Sequence, residues 1–123
     1  MPNYTAMTLS AATNGLPIRV MALATAGTTI HTATSSDMPE GCDEVYLWAG
    51  NITASSAQLS LYFSGDPSGD RRINARVPAA FNGPIAILAG HRVCDGVVIT
   101  ATASIADALL VWGNVNRISG QGT

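Results

Sequence analysis

Few residues in this 123-residue chain have side chains able to do chemistry: two histidines, two cysteines and eight carboxylates. Nucleophilic catalysis needs a base beside the nucleophile, and only His31 and His91 could serve. No G-x-S-x-G elbow accompanies them. His31 lies in a Thr-rich run and His91 stands beside Arg92 in a turn-like segment, so both read as surface or interface hydrogen-bonding residues. Paired carboxylates can work as acid and base, but Asp43 and Glu44 are neighbours on a strand and point to opposite faces. They read as a solvated strand entry. Asp66 and Asp70 flank a Pro-Ser-Gly turn and offer hard oxygen ligands for calcium. That loop is far shorter than an EF-hand, and a polar hairpin turn is the reading adopted. No catalytic residue, metal ligand or cofactor site is assigned.

Cys42 and Cys94 are well separated and neither belongs to a CxxC pair. In a reducing cytosol they read as buried or half-buried free thiols, with a disulfide formed late, in a released particle, as the alternative.

Partner contact is the chemistry the remaining residues suit. Arg71, Arg72 and Arg76 cluster, and Arg72 and Arg76 share a strand face from which they can grip acidic groups; intramolecular pairs on a solvated face would serve as well. Tyr46, Trp48 and Tyr62 raise the idea of an aromatic platform for sugars, although aromatic residues are only 6% of the chain. Trp48 reads more simply as core or subunit interface.

Composition points the same way. Charged residues make up 11% of the chain, against about 25% in a typical soluble domain. Interface cores are depleted in charge and in Lys, and all six basic residues here are Arg. The net charge of -2 argues against a broad basic surface for nucleic acid. No run of about 20 apolar residues is present to cross a membrane as a helix. The start, Met1 to Ser10, lacks the pattern of a signal peptide, so synthesis in the cytosol is expected. Asn3-Tyr4-Thr5 and Asn51-Ile52-Thr53 match the glycosylation triplet and read as chance matches.

The elements that must position these residues are short β-runs separated by turns. Val45, Leu47 and Ala49 share one face of a strand over 43–51, with Tyr46 and Trp48 on the other. Leu59, Leu61 and Phe63 alternate with Gln58, Ser60 and Tyr62; Ile73, Ala75 and Val77 alternate with Arg72, Asn74 and Arg76. Further runs at 17–25, 27–33, 85–89, 96–103 and 109–118 bring the total to about eight. A helix start at Ser104 is set aside because residues 111–115 return to strand chemistry. The pattern predicts an all-β fold: an antiparallel, jelly-roll-like β-sandwich over 15–118. Residues 1–14, carrying Tyr4, Met7 and Leu9, are expected as an extended N-terminal arm across a neighbour, and 119–123 as a flexible tail.

The phrases Ala12-Thr13-Asn14-Gly15-Leu16-Pro17-Ile18-Arg19-Val20, Gly27-Thr28-Thr29-Ile30-His31-Thr32-Ala33, Asp43-Glu44-Val45-Tyr46-Leu47-Trp48-Ala49 and Val115-Asn116-Arg117-Ile118 resemble head decoration, or cement, proteins of tailed bacteriophages. The resemblance implies a β-sandwich that trimerises on an icosahedral capsid and fastens neighbouring major capsid proteins. It implies the capsid outer surface as location, after assembly in the host cytoplasm. Tyr4, Met7, Leu9, Trp48, Arg72 and Arg76 are the candidate partner-binding residues. A neck or tail ring and a carbohydrate-binding module on the virion are the alternatives. Removing residues 1–14 is expected to leave the domain folded and abolish capsid binding.

Overall fold

The computed structural model describes residues 3–21, 27–33, 42–64 and 72–119. Among them it forms nine strands: β1 (Asn3–Thr8), β2 (Ile18–Val20), β3 (Thr28–Thr32), β4 (Cys42–Asn51), β5 (Ala57–Phe63), β6 (Arg72–Val77), β7 (Ile85–Cys94), β8 (Val98–Ala103) and β9 (Leu109–Ser119). A single 3-10 turn, Ala80–Asn82, precedes β7. The first sheet runs β1-β9-β4-β7, with β2 also on β9; the second runs β3-β8-β5-β6.

The connectivity has a simple origin. β2 pairs with β9, β3 with β8, β4 with β7 and β5 with β6, all antiparallel. The chain is therefore one long hairpin, rolled up until β4 also meets β9 and β5 also meets β8. That is a jelly roll, and β1 is a ninth strand added ahead of it. The predicted alternation holds on β4, where Val45, Leu47 and Ala49 are fully buried and Trp48 is exposed. On β5 Leu59 and Leu61 are fully buried opposite Ala75 and Ile73 of β6, but Ser60 and Tyr62 on its other face are also buried and Ile73, on the edge strand, is exposed. These inward rows meet Ile99, Ala101, Leu109, Val111 and Val115 in a single core between the sheets. Each fully buried Leu or Ile contributes roughly 1.5–3 kcal/mol relative to exposure.

The amino-terminal segment differs from an arm. β1 lies along Asn114–Ser119 of β9 and β2 lies along Leu109–Val111, so the two strands share one edge. Between them residues 9–17 leave the sheet. Leu9 turns into the core at 1% exposure. Asn14 and Gly15 both take positive φ, 52° and 78°, and the Leu16 N–H donates to the Thr13 carbonyl at 3.0 Å. Two successive left-handed residues make a type I′ turn, which suits Asn-Gly. The Ala11 N–H reaches the Ile30 carbonyl of β3, so the excursion bridges from one sheet to the other. Removing residues 1–14 would thus strip an edge strand and a core side chain, which is a different experiment from trimming a loose arm.

β9 and β4 come closest at Gly113, opposite Leu47. A Cβ there would run into the Tyr46 carbonyl, so the position admits only glycine. Asn51, in the second glycosylation triplet, is 6% exposed. Its amide donates to the Ser55 carbonyl at 2.6 Å and its oxygen accepts the Thr53 N–H at 2.8 Å, shaping the turn after β4.

The cysteines correct the sequence reading. Cys42 and Cys94 stand directly opposite each other on β4 and β7, with Cα atoms 4.2 Å apart, and form a disulfide instead of two free thiols. Sequence separation concealed a pairing that strand register makes unavoidable. The bond closes a loop of 52 residues, for which chain entropy gives about 4 kcal/mol of stabilisation. Replacing both cysteines by Ala is expected to lower the urea unfolding free energy by about that amount while leaving the far-ultraviolet circular dichroism of the native state unchanged.

Candidate functional site

Three places in the fold collect functional side chains. The first is buried. On β3 the register with β8 slips between Thr29 and His31, a β-bulge that sets one extra residue against its partner. Ile30 and His31 consequently both face inward, at 0% and 1% exposure. His31 Nε2 lies 2.7 Å from Asp43 Oδ2, and Asp43 is itself 0% exposed. Arg117 on β9 donates to the same carboxylate through Nε at 2.9 Å and Nη2 at 3.1 Å. The Ser10 N–H donates to His31 Nδ1 at 3.0 Å. Because Nδ1 accepts, the ring proton sits on Nε2 and points at Asp43.

This corrects two readings: His31 is neither a surface nor an interface residue, and Asp43 is no solvated strand entry. Strict alternation sends His31 outward, and only the bulge, which has no sequence signature here, reverses it. Asp43 and Glu44 do point to opposite faces. Glu44 pairs with Arg92 across β4 and β7 at 3.1 Å, with the Arg92 side chain 57% exposed. The Ser10–His31–Asp43 order suggests a nucleophile triad, but it is the Ser10 backbone N–H that meets the ring. The Ser10 hydroxyl instead accepts the Thr32 N–H at 2.7 Å. The network ties both sheets and the 9–17 excursion together.

The second place is the outer face of the first sheet. β4 sets Tyr46 and Trp48 outward, and Trp48 pairs in register with Trp112 of β9. Trp48 is 38% exposed. Trp112 lies over Gly50, where a Cβ would come within 2.9 Å of its ring. Beside it a shallow hollow of about 190 Å³ is lined by Ile52, Pro84, Leu110 and Trp112 among others. Ile52 is 51% exposed. The result is an aromatic and aliphatic surface open to a partner. Sequence reasoning singled out Trp48 and missed Trp112, whose strand register alone reveals the pair.

The third is the outer face of the second sheet, which carries Arg72 and Arg76 with Gln58, Ser60, Tyr62 and Asn74. Tyr62 is only 7% exposed, with the Arg72 guanidinium 5.9 Å from its ring centroid. The hydrogen bond from Arg72, helped by Thr102, holds the Tyr62 phenol below the ordinary tyrosine pKa. A covered ring offers no flat surface for a sugar.

The six candidate partner-binding residues therefore do not form one site. Trp48 lies on one face of the sandwich and Arg72 and Arg76 on the opposite face. Met7, 36% exposed, sits on the edge strand β1, as does Tyr4, opposite Ile118. Leu9 belongs to the core. Asp66, Asp70 and Arg71 lie outside the described residues. Among the described residues no group of three or more His, Cys, Asp or Glu is placed to hold a metal ion, and no helix is long and apolar enough to cross a membrane. Comparison with protein-family models, with curated proteins and with solved structures finds no match to this chain.

Burial raises the Asp43 pKa, but the hydrogen bonds from Arg117 and His31 and the charge of Arg117 outweigh it and hold the carboxyl below its ordinary value of 3.8. A depressed folded-state value means that ionised Asp43 stabilises the fold fully above the unfolded pKa. That stability is lost as pH falls below 3.8 through the folded value. Asp43→Ala strands Arg117 and His31 without their acceptor and is expected to cost about 3–5 kcal/mol at neutral pH. Urea titrations from pH 7 to 2 should show a shallower acid loss in the variant than in the parent.

Proposed function

We propose that this chain is a structural virion protein that decorates an icosahedral phage capsid, binding as a homotrimer at joints between major capsid proteins. The observation that carries the reading is the Trp48–Trp112 face: two tryptophans opposite each other in register, with Leu110, Ile52 and Pro84 lining a hollow beside Trp112, on a chain of only 11% charged residues. Buried aromatic anchors supply most of the energy in protein interfaces, and a surface this apolar suits permanent contact with protein.

Three further features support the assignment. Jelly rolls recur in viral capsid proteins, an analogy of fold that raises the expectation without fixing the function. The Cys42–Cys94 disulfide suits a protein that ends in an oxidising medium outside the cell. The rolled hairpin, cross-linked near one end of β4, is a rigid plate, and a rigid plate spanning a joint loses little entropy on docking. The mechanism is mass action: a protein that binds the assembled lattice and not free subunits shifts the balance towards the intact shell.

The test uses the purified protein and phage heads stripped of it. Light scattering on a sizing column should give 3 × 12.7 = 38.1 kDa for the trimer. Trp48→Ala is expected to keep the fold, since the side chain is on the outer face, and to weaken either trimerisation or head binding by about 2 kcal/mol or more, roughly 30-fold. A ring of six or twelve would move the assignment to the neck or tail of the particle. A monomer whose head binding ignores Trp48→Ala would overturn it.

A further inference from the structure

The face opposite the tryptophans is built from different chemistry. Register across β6, β5 and β8 lays out Arg72, Tyr62 and Thr100 in one row and Asn74, Ser60 and Thr102 in the next. Arg76 and Gln58 begin a third, which Ser104 extends by accepting the Gln58 N–H at 2.8 Å. Every outward position in these rows is a hydroxyl, an amide or a guanidinium. Two hollows of about 260 and 280 Å³ lie along them and share Gln58 and Ser104, so they form one shallow trough. Ser60, which lines the trough, donates to Asn74 of β6 at 2.8 Å, fixing the exposed amide beside it. Thr100 Oγ1 is buried in the first row without a hydrogen-bond partner.

Arg76 lines the trough and Arg72 flanks it on β6. Among the described residues neither Arg72 nor Arg76 has a carboxylate partner; Arg76 reaches only the Ser56 hydroxyl, at 3.3 Å, and Arg72 rests on Tyr62. The two guanidiniums stand four residues apart on one strand, roughly 13 Å along its axis. A ligand for this surface carries negative charge at intervals and hydroxyls between. Single-stranded nucleic acid is disfavoured because its bases need open aromatic rings to stack on, and Tyr62 is covered; a duplex is disfavoured because it is held by many cations along its phosphates. An acidic peptide is disfavoured because the trough has no apolar hollow to seat alternate side chains.

We propose that the outer face of the β3-β8-β5-β6 sheet binds an acidic polysaccharide, with Arg72 and Arg76 on its carboxylate or sulfate groups and Gln58, Ser60, Asn74 and Thr102 on its hydroxyls. This binding does not depend on the capsid assignment, which rests on the other face of the sandwich.

The test is calorimetric titration of the intact protein at physiological salt with polygalacturonate, dextran sulfate and neutral dextran, and with polyglutamate and double-stranded DNA as polyanions lacking sugar hydroxyls or exposing stacked bases. Binding to at least one acidic polysaccharide but not to dextran is expected. R72Q/R76Q, at two exposed positions, should weaken it at least about tenfold, while W48A leaves it unchanged. Silence with both acidic polysaccharides would overturn the proposal. So would equal affinity for polyglutamate or DNA, which marks plain charge attraction, or undiminished binding by a folded R72Q/R76Q protein.

Discussion

A buried carboxylate organises this fold. Asp43 is removed from water on β4, and an ion so placed is tolerable only when its lone pairs are met by fixed donors. The donors come from three other parts of the chain: Arg117 on β9, His31 on β3 and, through the other ring nitrogen of His31, the backbone of Ser10. β4 and β9 belong to one sheet and β3 to the other, so a single side chain fixes the spacing of the two layers at that end of the sandwich. Because the imidazole accepts from Ser10, the excursion between β1 and β2 is held by the same chain of hydrogen bonds.

The disulfide acts beside it. Cys42 precedes Asp43 and locks β4 to β7 on one side, while Arg117 draws β4 to β9 on the other. Together they make the centre of the first sheet stiff, and the aromatic pair Trp48–Trp112 sits further along the same two strands. An anchor on a stiff support keeps its entropy cost of ordering low, which is the property an interface core needs. The second sheet has no comparable cross-link among the described residues. Its outer face relies on cross-strand hydrogen bonds such as Ser60–Asn74, as suits a surface that meets hydrated groups.

Much of this was legible in the sequence, and the boundary between legible and hidden has physical causes. Period-two alternation places side chains correctly along β4, but on β5 and β6 it does not fix burial: Ser60 and Tyr62 are covered on the polar face and Ile73 is exposed at the sheet edge. Alternation fails at a bulge, where one extra residue reverses the orientation of the side chains beyond it; His31 is that case. It also says nothing about which strands are neighbours. The Trp48–Trp112 pair, the Cys42–Cys94 bond and the Asp43–Arg117 fork all join residues distant in the chain, and each depends on register that only the rolled hairpin supplies. Residues 3–8 escaped recognition as a strand because Asn, Thr and Ala there lack the apolar row of a buried face. As an edge strand, β1 needs only a backbone ladder to β9 and a core anchor at Leu9.

The separation of the two outer faces is the feature with most functional content. Here Trp48 and Trp112 lie on the β1-β9-β4-β7 side, which also carries the Glu44–Arg92 pair, and Arg72 and Arg76, without a carboxylate partner among the described residues, on the β3-β8-β5-β6 side, with the thickness of the sandwich between them. No single flat partner can touch Trp48 and Arg72 together. A chain that joins two different partners needs such an arrangement: one desolvated face for lasting contact with protein, and one hydrated face for a ligand rich in oxygen. Jelly-roll topology makes the division easy to encode, because each strand presents one outward row of side chains. Changing every second residue of a strand then alters what its face binds without disturbing the core.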